Sequence, residues 1–222
     1  MSLINCRASI GKITWRKTSN LLLFAVIVIL AIALLQGTAA RAETIPQSVH
    51  SRYTSLANNF AKAPQESKFH RDIAAFYRLQ LGKNNSRQLL ASNLYLQVLL
   101  QQQAHAEAYQ VVVNLLSLSL ELSQQLQFQQ LASQLVLSKN NHENATLGKQ
   151  EWSLAIKHLH AWFNAVTAAN AKIAEKTLTV AEINRFNISS KQQAINAALL
   201  AQAYYQIADT RAALPWAQKA YQ

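Results

Sequence analysis

Four glycines and three prolines in 222 residues leave this chain few places to turn. A sandwich or barrel of short strands needs a turn signal every ten residues or so, roughly 20 in a chain of this length. Alanine, leucine and glutamine, all good helix formers, dominate the second half instead. The β-branched residues gather mainly in an apolar run near the N-terminus and at Val111-Val112-Val113. The expected class is therefore all-α.

The formal charge of +11 resembles a nucleic-acid signal until it is placed along the chain. Arg7, Lys12, Arg16, Lys17 and Arg41 all precede the first acidic residue, Glu43, and without them the net charge falls to about +6. The remaining cations are scattered, with no basic run or aromatic platform, so no nucleic-acid partner is expected. The acid-free stretch "CRASIGKITWRKTSN" runs into "LLLFAVIVILAIALL", an uninterrupted apolar run from Leu21 to Leu35. Ala40-Arg41-Ala42 then supplies an A-x-A cleavage pattern. This is the order of a secretory signal over residues 1–42. The run is short for a span of about 20 residues, yet residues 21–40 together would serve as a retained anchor, which leaves cleavage and retention both open. Either way the positive flank directs everything after Glu43 to export. The only cysteine, Cys6, lies in the leader, so the exported part has no thiol chemistry.

Helical spacing continues along the exported part. Val49, Tyr53, Leu56 and Phe60 predict a helix from Pro46, closed by Ala63-Pro64. A second, from about Gln65 to Leu81, carries Phe69, Ile73, Phe76 and Tyr77 and ends at Gly82. Together these make a capping hairpin over residues 43–85. Ser86 is the expected N-cap of "RQLLASNLYLQVLLQQQ", which breaks tightly into "AHAEAYQVVVNLLSL". "LSLSLELS", Leu116 to Ser123, alternates like a strand but has no partner strand in reach. It reads as a helix end, a turn and a helix start. A helix in "QQLQFQQLASQLVLSK", a polar loop "NNHENATLGK" and an amphipathic helix from Glu151 to Val166 follow. Residues 167–195 read as a short helix with a polar linker before a final hairpin, "ALLAQAYYQIADTRAALPWAQKAYQ".

That hairpin carries Leu200-Ala201, then Tyr204, then Ala213 and Ala220, with Asp209 in the polar turn. A large core residue stands beside a small one, an aromatic lies one turn on, and small residues return where two backbones approach. Ala201 and Ala213 are 12 residues apart, as are Leu96 and Ala108 in the earlier hairpin. The pattern resembles the tetratricopeptide repeat, a helix-turn-helix of about 34 residues that stacks into a superhelix. Trp152 and Ala155 fill the aromatic and small places of a second helix whose first helix supplies Leu131, Ala132 and Leu135. Ala132 and Ala155, however, are 23 residues apart, longer than the family's interval. More narrowly, residues 86–222 resemble the exported tetratricopeptide proteins associated with TonB energy-transduction systems of Gram-negative bacteria. The resemblance implies a periplasmic accessory scaffold acting with an inner-membrane energy complex and outer-membrane transporters. Stacked hairpins form a groove, so a protein partner is expected there or on the last helix, and residues 21–40, if retained, would add an inner-membrane association. The last helix carries Leu214, Ala217 and Tyr221 with nothing polar beyond, so the array reads either as cut short or as docking onto a partner or second copy.

Chemistry is sparse. In His158-x-His160 the imidazoles of a helix point about 200° apart, whereas a helical zinc pair needs i, i+4, so both read as surface or half-buried side chains. The sequence sets no carboxylate or histidine at an evident acid–base spacing from Glu151 or Glu182, and no nucleophile elbow, phosphate-cradling loop or H-E-x-x-H is present. Trp152, Trp162, Phe163 and Trp216 read as core ahead of pocket lining. No catalytic, cofactor-binding or metal residue is expected, and the reading is a non-enzymatic scaffold. Its rivals are a membrane-anchored envelope assembly factor and a cell-wall or substrate-processing enzyme on a helical frame.

Overall fold

The computed structural model describes residues 45–138, 147–175 and 189–221. The leader, the loop 139–146 and the segment 176–188 lie outside the described residues, and with them the readings of signal, anchor and linker. No helix among the described residues is long and apolar enough to cross a membrane.

Eight helices make up the described chain: α1 (Gln47–Lys62), α2 (Ser67–Gln80), α3 (Asn85–Gln101), α4 (His105–Leu116), α5 (Leu122–Ser138), α6 (Lys149–Ala174), α7 (Ser190–Gln206) and α8 (Thr210–Ala220). The described residues contain no strand. The alternating stretch after Leu116 resolves as predicted, since α4 ends there and α5 starts at Leu122. Each helix packs chiefly on the helices before and after it, and α1 reaches past α2 to touch α3. Burial is thus local in sequence, the arrangement in which each hairpin is stabilised by its neighbours.

The helix ends follow from side chains and backbone. Pro46 stands just before α1, where its missing N–H costs nothing, and Lys62 lies in the last turn at the negative end of the dipole. Gly82, at φ +69°, takes the left-handed conformation that closes α2. Ser86 is not the cap of α3. Asn84 Oδ1 accepts from the Arg87 N–H at 3.0 Å, which starts the helix two residues earlier and puts Ser86 inside its first turn. The helix predicted to end at Val166 continues to Ala174 because Ala169 prolongs its buried stripe and no breaker intervenes.

Two interhelical turns have the same construction. Leaving α3, the N–H groups of Gln102, Gln103 and Ala104 bond to the carbonyls of Val98, Leu100 and Leu99. Leaving α7, those of Ile207, Ala208 and Asp209 bond to Ala203, Tyr205 and Tyr204, position for position. In both the central residue is left-handed without being glycine, Gln103 at φ 58° and Ala208 at φ 65°. They differ at the next residue. Asp209 Oδ1 accepts from the Ala212 N–H at 3.0 Å, while Ala104 has no side chain to cap α4.

Candidate functional site

α6 organises the C-terminal half. Trp152, Ala155, Leu159, Trp162, Val166 and Ala169 repeat at intervals of three and four, so they form one buried stripe. His158, Phe163 and Ala165 are buried as well and widen the stripe on both flanks, which lets α5 pack on one side and α7 on the other. Leu126 of α5 and Ala197 and Leu200 of α7 complete a core with Leu159, Trp162, Phe163, Ala165 and Val166.

The residues selected from sequence distribute unevenly. Leu96, Ala108, Leu131, Ala132, Trp152, Ala155, Leu200 and Ala213 are buried. Ala201, Tyr204 and Ala220 are only half-buried. In α7 the wholly enclosed small residues are Ala197 and Ala203, not Ala201. Trp162 and Phe163 are core, and Trp216 packs half-buried against them.

The two histidines face different helices, as a separation of two residues requires. His158 is buried, 6% exposed, contrary to its reading as a surface or half-buried group. It lies three residues after Ala155 and four before Trp162, on the edge of the apolar stripe, and that spacing was the available signal. Its Nε2 is 3.0 Å from the Tyr109 hydroxyl of α4, and its Nδ1 is 2.7 Å from Gln129 Oε1 of α5. Burial, and secondarily the charge of Lys157, lower its pKa from 6.5 to about 4, so it is neutral near pH 7. A neutral imidazole has one donor and one acceptor. Gln129 Oε1 can only accept, so Nδ1 carries the proton and Nε2 accepts from Tyr109, whose own pKa burial raises. One side chain thereby ties α4, α5 and α6.

His160 points the other way. Its Nε2 lies 2.6 Å from the Tyr204 hydroxyl of α7, and its ring meets Trp216 of α8 edge-on at 5.3 Å. Burial lowers its pKa too. Phe163 and Trp216 pack with centroids 4.7 Å apart, and Lys219 Nζ sits 4.5 Å from the Phe163 centroid and 5.2 Å from that of Trp216. Both distances allow a cation–π contact. Sequence reading missed Tyr109, Gln129 and Lys219, whose roles depend on partners from other helices.

A groove of about 340 Å³ runs between α5 and α6, lined by Leu122, Gln125 and Gln129 from one and Ala161, Asn164, Ala165 and Ala168 from the other. Among the described residues its lining carries no charge. Among the described residues no three His, Cys, Asp or Glu side chains come together as a metal site. No family model matches the chain, and neither a curated protein nor a solved structure matches it.

Proposed function

We propose that the chain is an exported, non-enzymatic helical-repeat scaffold of the tetratricopeptide kind that binds a protein partner. The observation that carries this reading is the congruent pair of turns after α3 and α7. The same backbone pattern at two hairpins, in a chain whose helices pack on their sequence neighbours, is what a repeat array would have. Such arrays bind through grooves between helices by shape and a few polar contacts, and the groove of α5 and α6, whose described lining is alanine, leucine and carboxamide side chains, has that character. The exposed face of α8, with Leu214 60% exposed, and Tyr221 just after the helix, 94% exposed, make the second surface available to a partner.

Periplasmic export rests on the basic leader, the apolar run and the A-x-A pattern. An accessory role beside a TonB-type system, with residues 21–40 as signal or inner-membrane anchor, rests on the resemblance of residues 86–222. The test is fractionation of a Gram-negative host expressing the full chain, with a photo-crosslinking residue at Gln125 in the groove, at Leu214 on α8, or at exposed Arg52 on α1. The expected outcome is an envelope-associated chain with a protein adduct from Gln125 or Leu214 and none from Arg52. A cytosolic product removes the export reading, and failure of both Gln125 and Leu214 to form an adduct removes the scaffold reading.

A further inference from the structure

His158 links three helices that are otherwise joined pairwise. α4 and α6 are not sequence neighbours, and each packs on α5, which lies between them in the chain. From α6 the His158 ring reaches the Tyr109 hydroxyl of α4 at 3.0 Å, with the two rings edge-on at 5.7 Å, and Gln129 Oε1 of α5 at 2.7 Å. These bonds fix its state. Nδ1–H donates to Gln129 and Nε2 accepts from Tyr109, so the neutral ring uses both nitrogens. A second proton, on Nε2, removes that acceptor: the Tyr109 hydroxyl must turn its own proton away, and the ring must hold a charge at 6% exposure. Among the described residues the titratable or charged groups around it are Tyr109 from α4 and Lys157 on its own helix, while α5 carries none. Neither compensates a cation.

Water is close to this bridge. His158 lies on the edge of the buried stripe, and both partners, Tyr109 and Gln129, are only half-buried, so a charged ring gains solvent by leaving its two bonds while the rest of the stripe stays packed. We propose that the Tyr109–His158–Gln129 bridge is an acid-released strap: the neutral ring holds α4 to the α5–α6 pair, and on taking up a proton it lets α4 and α6 separate with their helices intact. Gln129 also lines the groove between α5 and α6, so the same step frees a carboxamide of that groove. The strap is independent of what the chain binds. A solvated imidazole takes its proton near pH 6.5 and the strapped one only near pH 4, so between those values each unit of acidification favours the open form by up to about 10-fold. His160 bonds to Tyr204 of α7 and meets Trp216 of α8, so it has no share in holding α4.

The test uses the full chain in detergent micelles, with Cys6→Ser to remove its only thiol and with Asn114→Cys and Ser153→Cys to carry spin labels at exposed sites of α4 and α6. The interlabel distance and the helix signal in circular dichroism are followed from pH 7 to pH 4. The expected result is a second, longer distance whose share grows as pH falls while helicity is retained. Tyr109→Phe deletes one hydrogen bond of the strap and should favour the open form about 5- to 10-fold, which moves the midpoint up by about 1 pH unit. His158→Phe keeps a ring that cannot titrate and should abolish the response, whereas His160→Gln should leave it in place. If His158→Phe misfolds, the other two variants still decide. An unchanged distance at pH 4 overturns the strap, and so does an unmoved midpoint in Tyr109→Phe. Loss of helicity at the same midpoint as the distance change overturns it as well, because acid then unfolds the chain as a whole. A response that survives His158→Phe, or that His160→Gln abolishes, assigns the change to another group and overturns it too.

Discussion

The α5–α6 junction and the α7–α8 hairpin are both helix pairs of the same chain, but they are held together differently. Along α6 nine side chains are buried, including two tryptophans, a phenylalanine and a hydrogen-bonded histidine. In α8 the only buried residue is Ala213, and the hairpin relies on small-residue contact, the half-buried Trp216 and a capped turn. The first pair is stabilised by volume and the second by close backbone approach. That contrast can be broken experimentally. Trp162, 2% exposed, should lose about 3–5 kcal/mol on replacement by alanine, because a large buried ring leaves a cavity. Trp216→Ala should cost roughly half as much, since part of that ring is already solvated. Equal costs in denaturant unfolding would mean that the two pairs are packed alike.

The next effect distinguishes the two faces of α6 by pH. The folded chain keeps His158 neutral down to about pH 4, whereas an unfolded imidazole titrates near 6.5. Between those values the unfolded chain binds a proton that the folded chain refuses, so stability is full above about pH 6.5 and falls as pH drops to about 4. The groups facing His158 are the Tyr109 phenol from α4 and Lys157 on its own helix, and α5 carries no titratable side chain. Among the described residues no carboxylate is hydrogen-bonded to the ring to stabilise the imidazolium. The expected loss is on the order of 2–3 kcal/mol. His160 acts in the same direction with a smaller share, because it is less buried. His158→Gln should flatten most of the slope of unfolding free energy against pH, and His160→Gln little of it. An unchanged slope in His158→Gln would remove His158 as its source.

The aromatic stripe of α6 was legible in the sequence because burial there follows a spacing of three and four within one segment. The helices and most of their ends were legible for the same reason: the scarcity of glycine and proline left few alternatives. What could not be read were the pairings between segments. His158 with Tyr109 and Gln129 spans three helices, and nothing local to position 158 names those partners. Ala201 makes a subtler point. Leu96 and Ala201 occupy equivalent places before equivalent turns, yet Leu96 is buried within α3 while Ala201 is half-buried. Spacing fixes a position within a hairpin, but burial depends on what lies across from it.

A third experiment uses that distinction within the hairpin itself. Ala213→Leu should overpack the α7–α8 crossing and cost about 1–3 kcal/mol, because three more carbons would be added at a buried site. Ala201→Leu should cost less than about 1 kcal/mol, since part of the new side chain reaches solvent. The reverse order would mean that Ala201, and not Ala203, lies at the close approach.

The smallest effect is the sharpest test of whether the two hairpins share a design. Gln103 and Ala208 both hold a left-handed backbone with a β-carbon, a conformation that glycine adopts without steric cost. Both side chains are exposed, so shortening them removes no packing. Glycine also gains freedom in the unfolded chain, which offsets part of the relief. Gln103→Gly and Ala208→Gly should therefore each stabilise the fold by roughly 0.5–1 kcal/mol, read as an upward shift of the denaturant midpoint at constant slope. The sites lie in separate hairpins, so the double variant should show the sum of the two shifts. If the turns are equivalent, the two single shifts agree. A gain at Ala208 with none at Gln103 would mean that the uncapped turn after α3 opens independently of the rest, because relieving strain in a turn that is already open cannot raise the global midpoint. Adding Ala104→Asp, which supplies the cap that Asp209 provides in the other turn, should then restore the missing gain. Failure of that rescue would leave the shared hydrogen-bond pattern without an energetic counterpart, and the two hairpins would be alike in backbone geometry alone.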